Sequence, residues 1–320
     1  MIKVLFGNSF EKVNELEDNS IDCVISSPPY FGLRDYGNDN QMGLEKHYKD
    51  YIQNTVNLFR LMKPKLKDQA TIWWNVGDSY YNYRPTRNKE GLYKSPDYHK
   101  QTISSNRQDL PTKGSKRGIV FEDIKEKDLM MIPNRVAIAL QEDGWYVRSE
   151  IIWSKPNPMP ESVRDRPTSS HEKIWLITKN KSYYYDHEAI KEDCLTYNSL
   201  VRDRDTTKLN NTPGRAKMGG LKKNNYTKKN KRNVWTVTTK PFKGAHFATF
   251  PIDLIEPCVL AGCPEGGTIL DPFGGSGTTG VAANRHKRNA ILIELNKNYK
   301  EVMQLRFSKE DQLFLETHYE

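Results

Sequence analysis

Apolar positions in this chain fall into short, near-continuous runs, with longer stretches of helical spacing between them. The run Ile2 to Phe6 predicts a first strand that stops at Gly7-Asn8. A short helix is expected from Ser9, a good N-cap, to about Leu16. Asp18-Asn19-Ser20 then turns the chain into a second apolar run, Ile21 to Ile25, whose lack of polar alternation suits a strand buried on both faces. His47 to Met62 repeats with a helical period, placing Ile52, Val56 and Phe59 on one face, and Thr71 to Val76 reads as the next strand, ending at Gly77-Asp78-Ser79. Asp128 to Glu142 predicts a helix, and Trp145 to Trp153 and Lys173 to Thr178 predict two strands. The segment Ser154 to Pro160 between them is too rich in proline for a helix or a central strand. Near the end, a strand begun at Thr268, a glycine-rich turn led by Asp271 and a helix begun near Thr278 are followed by a strand at Ala290 to Leu295. Strands alternating with helices describe an open α/β sheet.

Chemistry enters at the end of the second run, where Ser26-Ser27-Pro28-Pro29-Tyr30 follows Ile25. Neither proline can donate a ladder hydrogen bond, so the strand stops and Ser27, the Pro28 carbonyl and Tyr30 sit on a stiff turn. Ligands of open α/β sheets bind at that carboxyl edge. Such a turn suits methylation of an exocyclic amine on a flat ring. That nitrogen is a poor nucleophile because its lone pair is delocalised. Two acceptors, the Ser27 hydroxyl and the Pro28 carbonyl, draw it toward tetrahedral geometry, and Tyr30 offers a stacking face. The plainer reading is a proline-rich turn after a core strand.

The second candidate is Asp271-Pro272-Phe273-Gly274-Gly275-Ser276-Gly277-Thr278. Its glycines permit close backbone approach, and the helix that follows points free N–H groups at an anion. Glu294, near the end of the next strand, suits the two hydroxyls of a ribose. Gly275, Gly277 and Gly280 match the dinucleotide fingerprint, with an acid about 20 residues on. Asp271 argues against a pyrophosphate and for an ammonium, and too little chain remains for a second nucleotide-binding half. A ligand with an ammonium, a carboxylate and a ribose describes S-adenosylmethionine.

Composition adds a polar surface and an anionic partner. The 320 residues are 36% hydrophobic with a formal charge of +9, and mean hydropathy is −0.78. The segment Leu200 to Asn233 has eleven cations against Asp203 and Asp205, a balance of +9 that equals that of the whole chain. Within it Arg202, Arg204, Arg215, Lys222, Lys223, Lys228, Lys229, Lys231 and Arg232 are candidates for phosphate contacts, with interleaved asparagines able to read base edges. The bland alternative is a charged linker. A second polar stretch, Tyr80 to Gly118, has nine cations against three acids from Arg84 to Arg117 and reads as an insertion. Cys23, Cys194, Cys258 and Cys263 lack paired spacing, which fits a reducing cytosol and no metal site. His171-Glu172 is not a zinc helix, because Trp175 stands four residues after His171. Cys258, in an apolar helical run, reads as core and not as a C5-methylation nucleophile. No signal peptide and no membrane-spanning run is read.

With both motifs placed, the chain resembles the amino-methyltransferases of DNA, in the arrangement where the catalytic motif precedes the cofactor motif. Ser27-Pro28-Pro29-Tyr30 looks like the catalytic motif, Asp271 to Thr278 like the cofactor motif and Glu294 like the ribose-binding acid. The segment Lys243 to Pro251, with Phe250, is similar to the one that contacts the methionine part. The resemblance implies a doubly wound, mostly parallel, Rossmann-like sheet with a late antiparallel strand. It also implies S-adenosylmethionine as cofactor, duplex DNA as partner, base flipping and a cytoplasmic setting. A homodimer and a cognate restriction endonuclease are further possible partners. The expected division is a catalytic half at 1–79, a basic loop at 80–118, the rest of that half at 119–199, a target-recognition segment at 200–233 and a cofactor half at 234–320.

Two positions depart from the family pattern. Asn8, a cofactor-binding candidate, follows Gly7 where the family often has an Asp that contacts the cofactor's adenine side, and its amide oxygen still accepts a hydrogen bond; the catalytic motif begins with Ser. By resemblance, Ser accompanies N4 of cytosine, whereas Asp or Asn accompanies N6 of adenine. Adenine-N6 methylation is the alternative activity. A nucleic-acid-binding protein on a retired scaffold is the non-enzymatic one.

Overall fold

The computed structural model describes residues 1–33, 41–81, 121–194, 227–239, 250–310 and 317–320. They divide into two units, one made of Met1–Tyr185 with Asn233–Glu320, the other of Asp186–Arg232. Most of the insertion at 80–118 and most of the basic segment lie outside the described residues.

The larger unit contains strands β1 (Ile2–Phe6), β2 (Ile21–Ser26), β3 (Leu66–Val76), β4 (Tyr146–Ser154) and β5 (His171–Thr178). The smaller unit contains β6 (Glu192–Asp193) and β7 (Lys228–Lys229), an antiparallel pair. The larger unit continues with β8 (Val234–Thr236), β9 (Thr268–Asp271), β10 (Asn289–Glu294) and β11 (Thr317–Tyr319). Its sheet runs β11-β1-β10-β9-β2-β3-β5-β4-β8. All neighbours are parallel except at β5, which is antiparallel to both β3 and β4.

Helices α1 (Ser9–Lys12), α2 (Tyr48–Met62), α3 (Ile132–Glu142), α4 (Ile252–Gly262), α5 (Thr278–Arg285) and α6 (Tyr299–Phe307) connect these strands. Helix α2 buries Tyr51, Val56, Phe59 and Met62, and Ile52, expected on the same face, is half-buried against the core. Phe59 sits edge-on to Trp74 of β3 at 5.0 Å and to Trp145 at 5.3 Å. Ring pairs of this kind contribute about 0.5–1.5 kcal/mol beyond their area.

Some boundaries differ from the sequence reading, each for a local reason. Strand β3 begins at Leu66, which pairs with Ile21 of β2, and the polar Lys67 next to it reaches Asp22 at 2.8 Å. Asn8, not Ser9, caps α1: its Oδ1 accepts from the Phe10 N–H at 2.9 Å. Helix α3 starts only at Ile132, since Met131 adopts φ 57° and Pro133 opens the first turn. The missing cap comes from Asp78, whose Oδ1 accepts from the Ile132 N–H at 3.1 Å. Burial raises the Asp78 carboxyl above its ordinary range.

Strand β9, from late in the chain, lies directly against β2, pairing Cys23 with Ile269 and Val24 with Leu270. Both strands run the same way, so the Ser-Pro-Pro-Tyr turn and the glycine-rich turn leave the same sheet edge side by side. Among the described residues no helix is long and apolar enough to cross a membrane.

Candidate active site

The two turns are joined by a buried hydrogen bond. Ser26 donates to Asp271 Oδ1 at 2.6 Å although 245 positions separate them. Thr279 donates to Asp271 Oδ2 at 2.5 Å, and the Phe273 N–H donates to Oδ1 at 3.0 Å. Asp271 is 1% exposed, and burial raises its carboxyl above the ordinary range, opposed by these three donors. Asp271 thus ties β2, β9 and the start of α5 together from inside.

The glycine-rich turn closes tightly on its neighbours. Gly277 has φ +81°, and a Cβ there would lie 2.7 Å from Phe307 of α6. The Gly274 N–H donates to the Ile293 carbonyl at 2.7 Å. Ser9 donates to the Pro272 carbonyl at 2.5 Å, and Arg306 donates to Ser276 Oγ at 2.7 Å. Burial lowers the Arg306 guanidinium to about 10. Thr278 is buried at the first position of α5. Glu294, at the end of β10, accepts from the Gly275 N–H through Oε2 and from the Asn296 N–H through Oε1, both at 2.8 Å. Burial raises this carboxyl. Asn8 stands beside it, because the Gly7 N–H donates to the Glu294 carbonyl at 3.0 Å. Phe273 packs against the core with its ring 6.1 Å from that of Trp74.

At the other turn, Pro28 is buried and Ser27, Pro29 and Tyr30 are half-buried. Ser27 Oγ donates to the Tyr30 hydroxyl at 3.1 Å. Tyr30 donates in turn to Glu172 Oε2 at 2.6 Å. Asn75 Nδ2 donates to both, at 2.9 Å and 3.0 Å. Lys155 pairs with Glu172 Oε1, and its ammonium sits 4.3 Å from the Trp153 ring centroid. Burial, then the Glu172 charge, pushes the Tyr30 phenol well up, so it stays protonated. Gly77 makes room for the ring: a Cβ there would stand 2.5 Å from Tyr30 Cε2.

Asn75, Gly77, Lys155 and Glu172 are site residues that the sequence reading does not single out. Asn75 interrupts the apolar run Ile72-Trp73-Trp74 before Val76, which is a signal. Glu172 enters that reading only as part of a metal pair, and it lies antiparallel across from Trp153. Among the described residues no metal-ligand cluster occurs. Cys258 is 1% exposed within α4. Phe250 lies half-buried just before α4, while 240–249 fall outside the described residues.

Of the basic candidates, Lys228 and Lys229 form β7 in the smaller unit, where Arg232 Nε meets Glu192 Oε2 at 3.2 Å and Lys231 meets Oε1 at 3.8 Å. Arg202, Arg204, Arg215, Lys222 and Lys223 lie outside the described residues.

A glycine-rich turn and a Ser-Pro-Pro-Tyr turn at the carboxyl edge of one mostly parallel sheet place the protein in the Rossmann-like fold class. The profile of the N6/N4-type DNA methylase family matches residues 21–305, so this chain belongs to that family and is an S-adenosylmethionine-dependent DNA methyltransferase. It is 45% identical over 298 residues to the type II methyltransferase M.SmaI of Serratia marcescens, covering 93% of this chain and 87% of that one. It is 42% identical over 306 residues to M.Cfr9I of Citrobacter freundii, covering 95% and 87%. In fold it is similar to the PvuII DNA methyltransferase (cytosine-N4-specific), with a TM-score of 0.62 at 16% identity, over 98% of this chain and 88% of that chain. A putative DNA modification methylase of Thermus thermophilus, solved with S-adenosyl-L-methionine, gives a TM-score of 0.60 at 18% identity, over 100% and 98%.

The turn fits that cofactor. A carboxylate has about four acceptor sites, and Glu294 uses one on each oxygen for a backbone N–H. The Leu295 N–H also acts on this carboxylate, and the acceptor capacity left over suits a ribose hydroxyl.

Proposed function

We propose that this enzyme methylates the exocyclic N4 amine of cytosine in double-stranded DNA. The observation that carries the reading is the neutral hydroxyl of Ser27, held by Tyr30 at the β2 edge beside the β9 turn. A hydroxyl is a weaker proton acceptor than a carboxylate, which suits the cytosine amine. The structural neighbour described as cytosine-N4-specific supports the same choice.

The bound cofactor supplies an electrophilic methyl group on a sulfonium. Glu294 holds the ribose hydroxyls, Phe273 with the Gly274 to Gly277 turn lines its other side, and Asp271 acts through the turn it fixes. Ser27 Oγ and the Pro28 carbonyl hold the amine, and Tyr30 lies against the base. The target base leaves the stack at a cost of a few kcal/mol. Alignment and fixed dipoles then carry most of the rate. The basic segment 200–233 docks the duplex through its phosphates. A cytoplasmic setting and a restriction endonuclease of matching specificity accord with relatives named as type II methyltransferases.

Nucleoside mass spectrometry after incubation with DNA and cofactor tests this. N4-methylcytosine is expected, and N6-methyladenine in its place overturns the base assignment. Ser27→Ala is expected to retain cofactor binding and lose most turnover, and unchanged turnover removes Ser27 from its role.

A further inference from the structure

Methylation leaves one proton too many on the nitrogen, and the site must take it away. As the nitrogen lone pair bonds to the methyl carbon, the carbon–sulfur bond breaks and its electron pair stays on sulfur. The nitrogen is then cationic, and one N–H bond must break with its electrons returning to nitrogen. Ser27 cannot keep that proton, because a protonated hydroxyl is a strong acid.

Asn75 Nδ2 reaches Ser27 Oγ at 3.5 Å but only as a donor, so the acceptor beyond Ser27 is Tyr30. Tyr30 accepts from Ser27 Oγ at 3.1 Å and from Asn75 Nδ2 at 2.9 Å. A phenol oxygen offers about two lone pairs, so both are filled and its own proton points to Glu172 Oε2 at 2.6 Å. Glu172 is held in place by Asn75 at 3.0 Å and by Lys155 on its other oxygen. Its side chain keeps 16% exposure, a route for the proton to water. The other charges near by are placed elsewhere: Lys173 of β5 pairs with Glu150 at 2.5 Å, and His171 is exposed.

We infer that Glu172 is the terminal proton acceptor of the reaction, reached through Ser27 and Tyr30. The amine proton passes to Ser27 Oγ, the Ser27 proton to the Tyr30 oxygen and the Tyr30 proton to the Glu172 carboxylate. The Ser27 and Tyr30 oxygens each lose one proton and gain one, and only Glu172 ends with one proton more than it began with. Release to solvent resets the chain. Glu172 touches neither base nor cofactor in this scheme; it is a positioning residue that also stores the proton. The inference rests on the proposed role of Ser27 and serves an exocyclic amine of either base.

Glu172→Gln and Tyr30→Phe test it in the full-length protein. Gln keeps the shape and can still accept from Tyr30, but it is not basic. Phe keeps the ring and removes the relay. Calorimetric cofactor affinity and duplex binding are expected within about twofold of wild type for both, which establishes folding. Single-turnover methyl transfer is expected to fall about 10²-fold in each, the scale of general base catalysis. The double variant is expected to be no slower than the slower single one, because both break one chain.

Rescue by the conservative variant separates this from a structural role. Glu172→Asp keeps a carboxylate, and it is expected to recover at least about tenfold of the rate that Glu172→Gln loses. A Glu172→Gln enzyme with wild-type rate, or a Glu172→Asp enzyme as slow as Glu172→Gln, overturns the relay while leaving the methyltransferase reading intact. A wild-type protein that modifies neither cytosine nor adenine in DNA overturns both.

Discussion

Gly77 is the position where one added carbon tests the geometry of the catalytic turn most directly. Its backbone is not among the left-handed glycines, so alanine is tolerated by the main chain. The obstacle is the Tyr30 ring: a Cβ would lie 2.5 Å from Cε2 and 2.7 Å from Cδ2. Carbon–carbon contact needs about 3.5–4.0 Å, so ring and methyl must separate by about 1 Å. The ring cannot yield cheaply, because its hydroxyl is fastened to Glu172 at 2.6 Å and to Asn75 at 2.9 Å. A shift of about 1 Å puts the Glu172 contact near 3.6 Å, outside hydrogen-bond range.

Two effects follow for Gly77→Ala. Overpacking destabilises by about 1–3 kcal/mol. Misplacement of the turn by about 1 Å lowers the methyl-transfer rate by about 10²-fold. Cofactor affinity is expected within about twofold of wild type, since the atoms nearest a Cβ at Gly77 all belong to the Tyr30 ring. The assay is single-turnover methyl incorporation into duplex DNA, with calorimetry for the cofactor. A rate within about twofold of wild type, with Tyr30 still bonded to Glu172 in a structure of the variant, would refute the reasoning.

Ser26→Ala removes a buried donor to Asp271 and is expected to cost about 1.5–3 kcal/mol, seen in thermal melts as a Tm lower by several degrees; an unchanged Tm counts against Asp271 as a structural tie. Glu294 has a raised carboxyl in the folded protein, so its contribution to stability is full below its unfolded pKa and is lost as pH rises through the folded one. Cofactor binding needs the ionised acceptor and runs the opposite way: affinity is expected to weaken on acidification, beginning above the ordinary glutamate range. Glu294→Gln, with one acceptor oxygen where Gly275 and Asn296 present two donors, is expected to bind cofactor at least about tenfold more weakly by the loss of a charged partner; calorimetry across pH reads both, and a flat wild-type profile refutes the pH argument. Neutralising Lys228 and Lys229 is expected to lower the slope of log affinity for DNA against log salt by about 2 if each meets a phosphate; an unchanged slope removes both from the interface.

The sheet is legible in the sequence because its strands are buried runs of the kind only an open α/β core needs. Ile21 to Ile25 and Ile269 to Leu270 read as strands in isolation, and in the structure they pair. What the linear pattern does not reveal is dependence on side chains far apart in the chain. Ser26 looks like a spacer before Ser27, yet its hydroxyl reaches Asp271. Asn8 reads as a weakened ligand contact, and the structure shows it capping α1, which leaves the Ser9 hydroxyl for Pro272. Asp271 reads from its charge as a partner for an ammonium, and the structure adds that it accepts from Ser26, Thr279 and the Phe273 N–H inside the protein.

The same pairing explains why the two motifs work in this chain order. Strands β2 and β9 meet through backbone hydrogen bonds, and the Ser26–Asp271 contact links their ends across 245 positions. Neither interaction depends on which strand is made first. Parallel neighbours need only crossovers long enough to return the chain to the same edge, and the segments on either side of β2 and β9 supply them. The second half of the site follows from the opposite arrangement. Strand β5 runs antiparallel to β3, so it is the start of β5, not its end, that arrives at the carboxyl edge. That reversal brings Glu172, second in its strand, beside Asn75, next to last in β3. An all-parallel sheet would have carried this carboxylate to the far edge, away from Tyr30. The one reversed strand is therefore what places a carboxylate within hydrogen-bond reach of Tyr30.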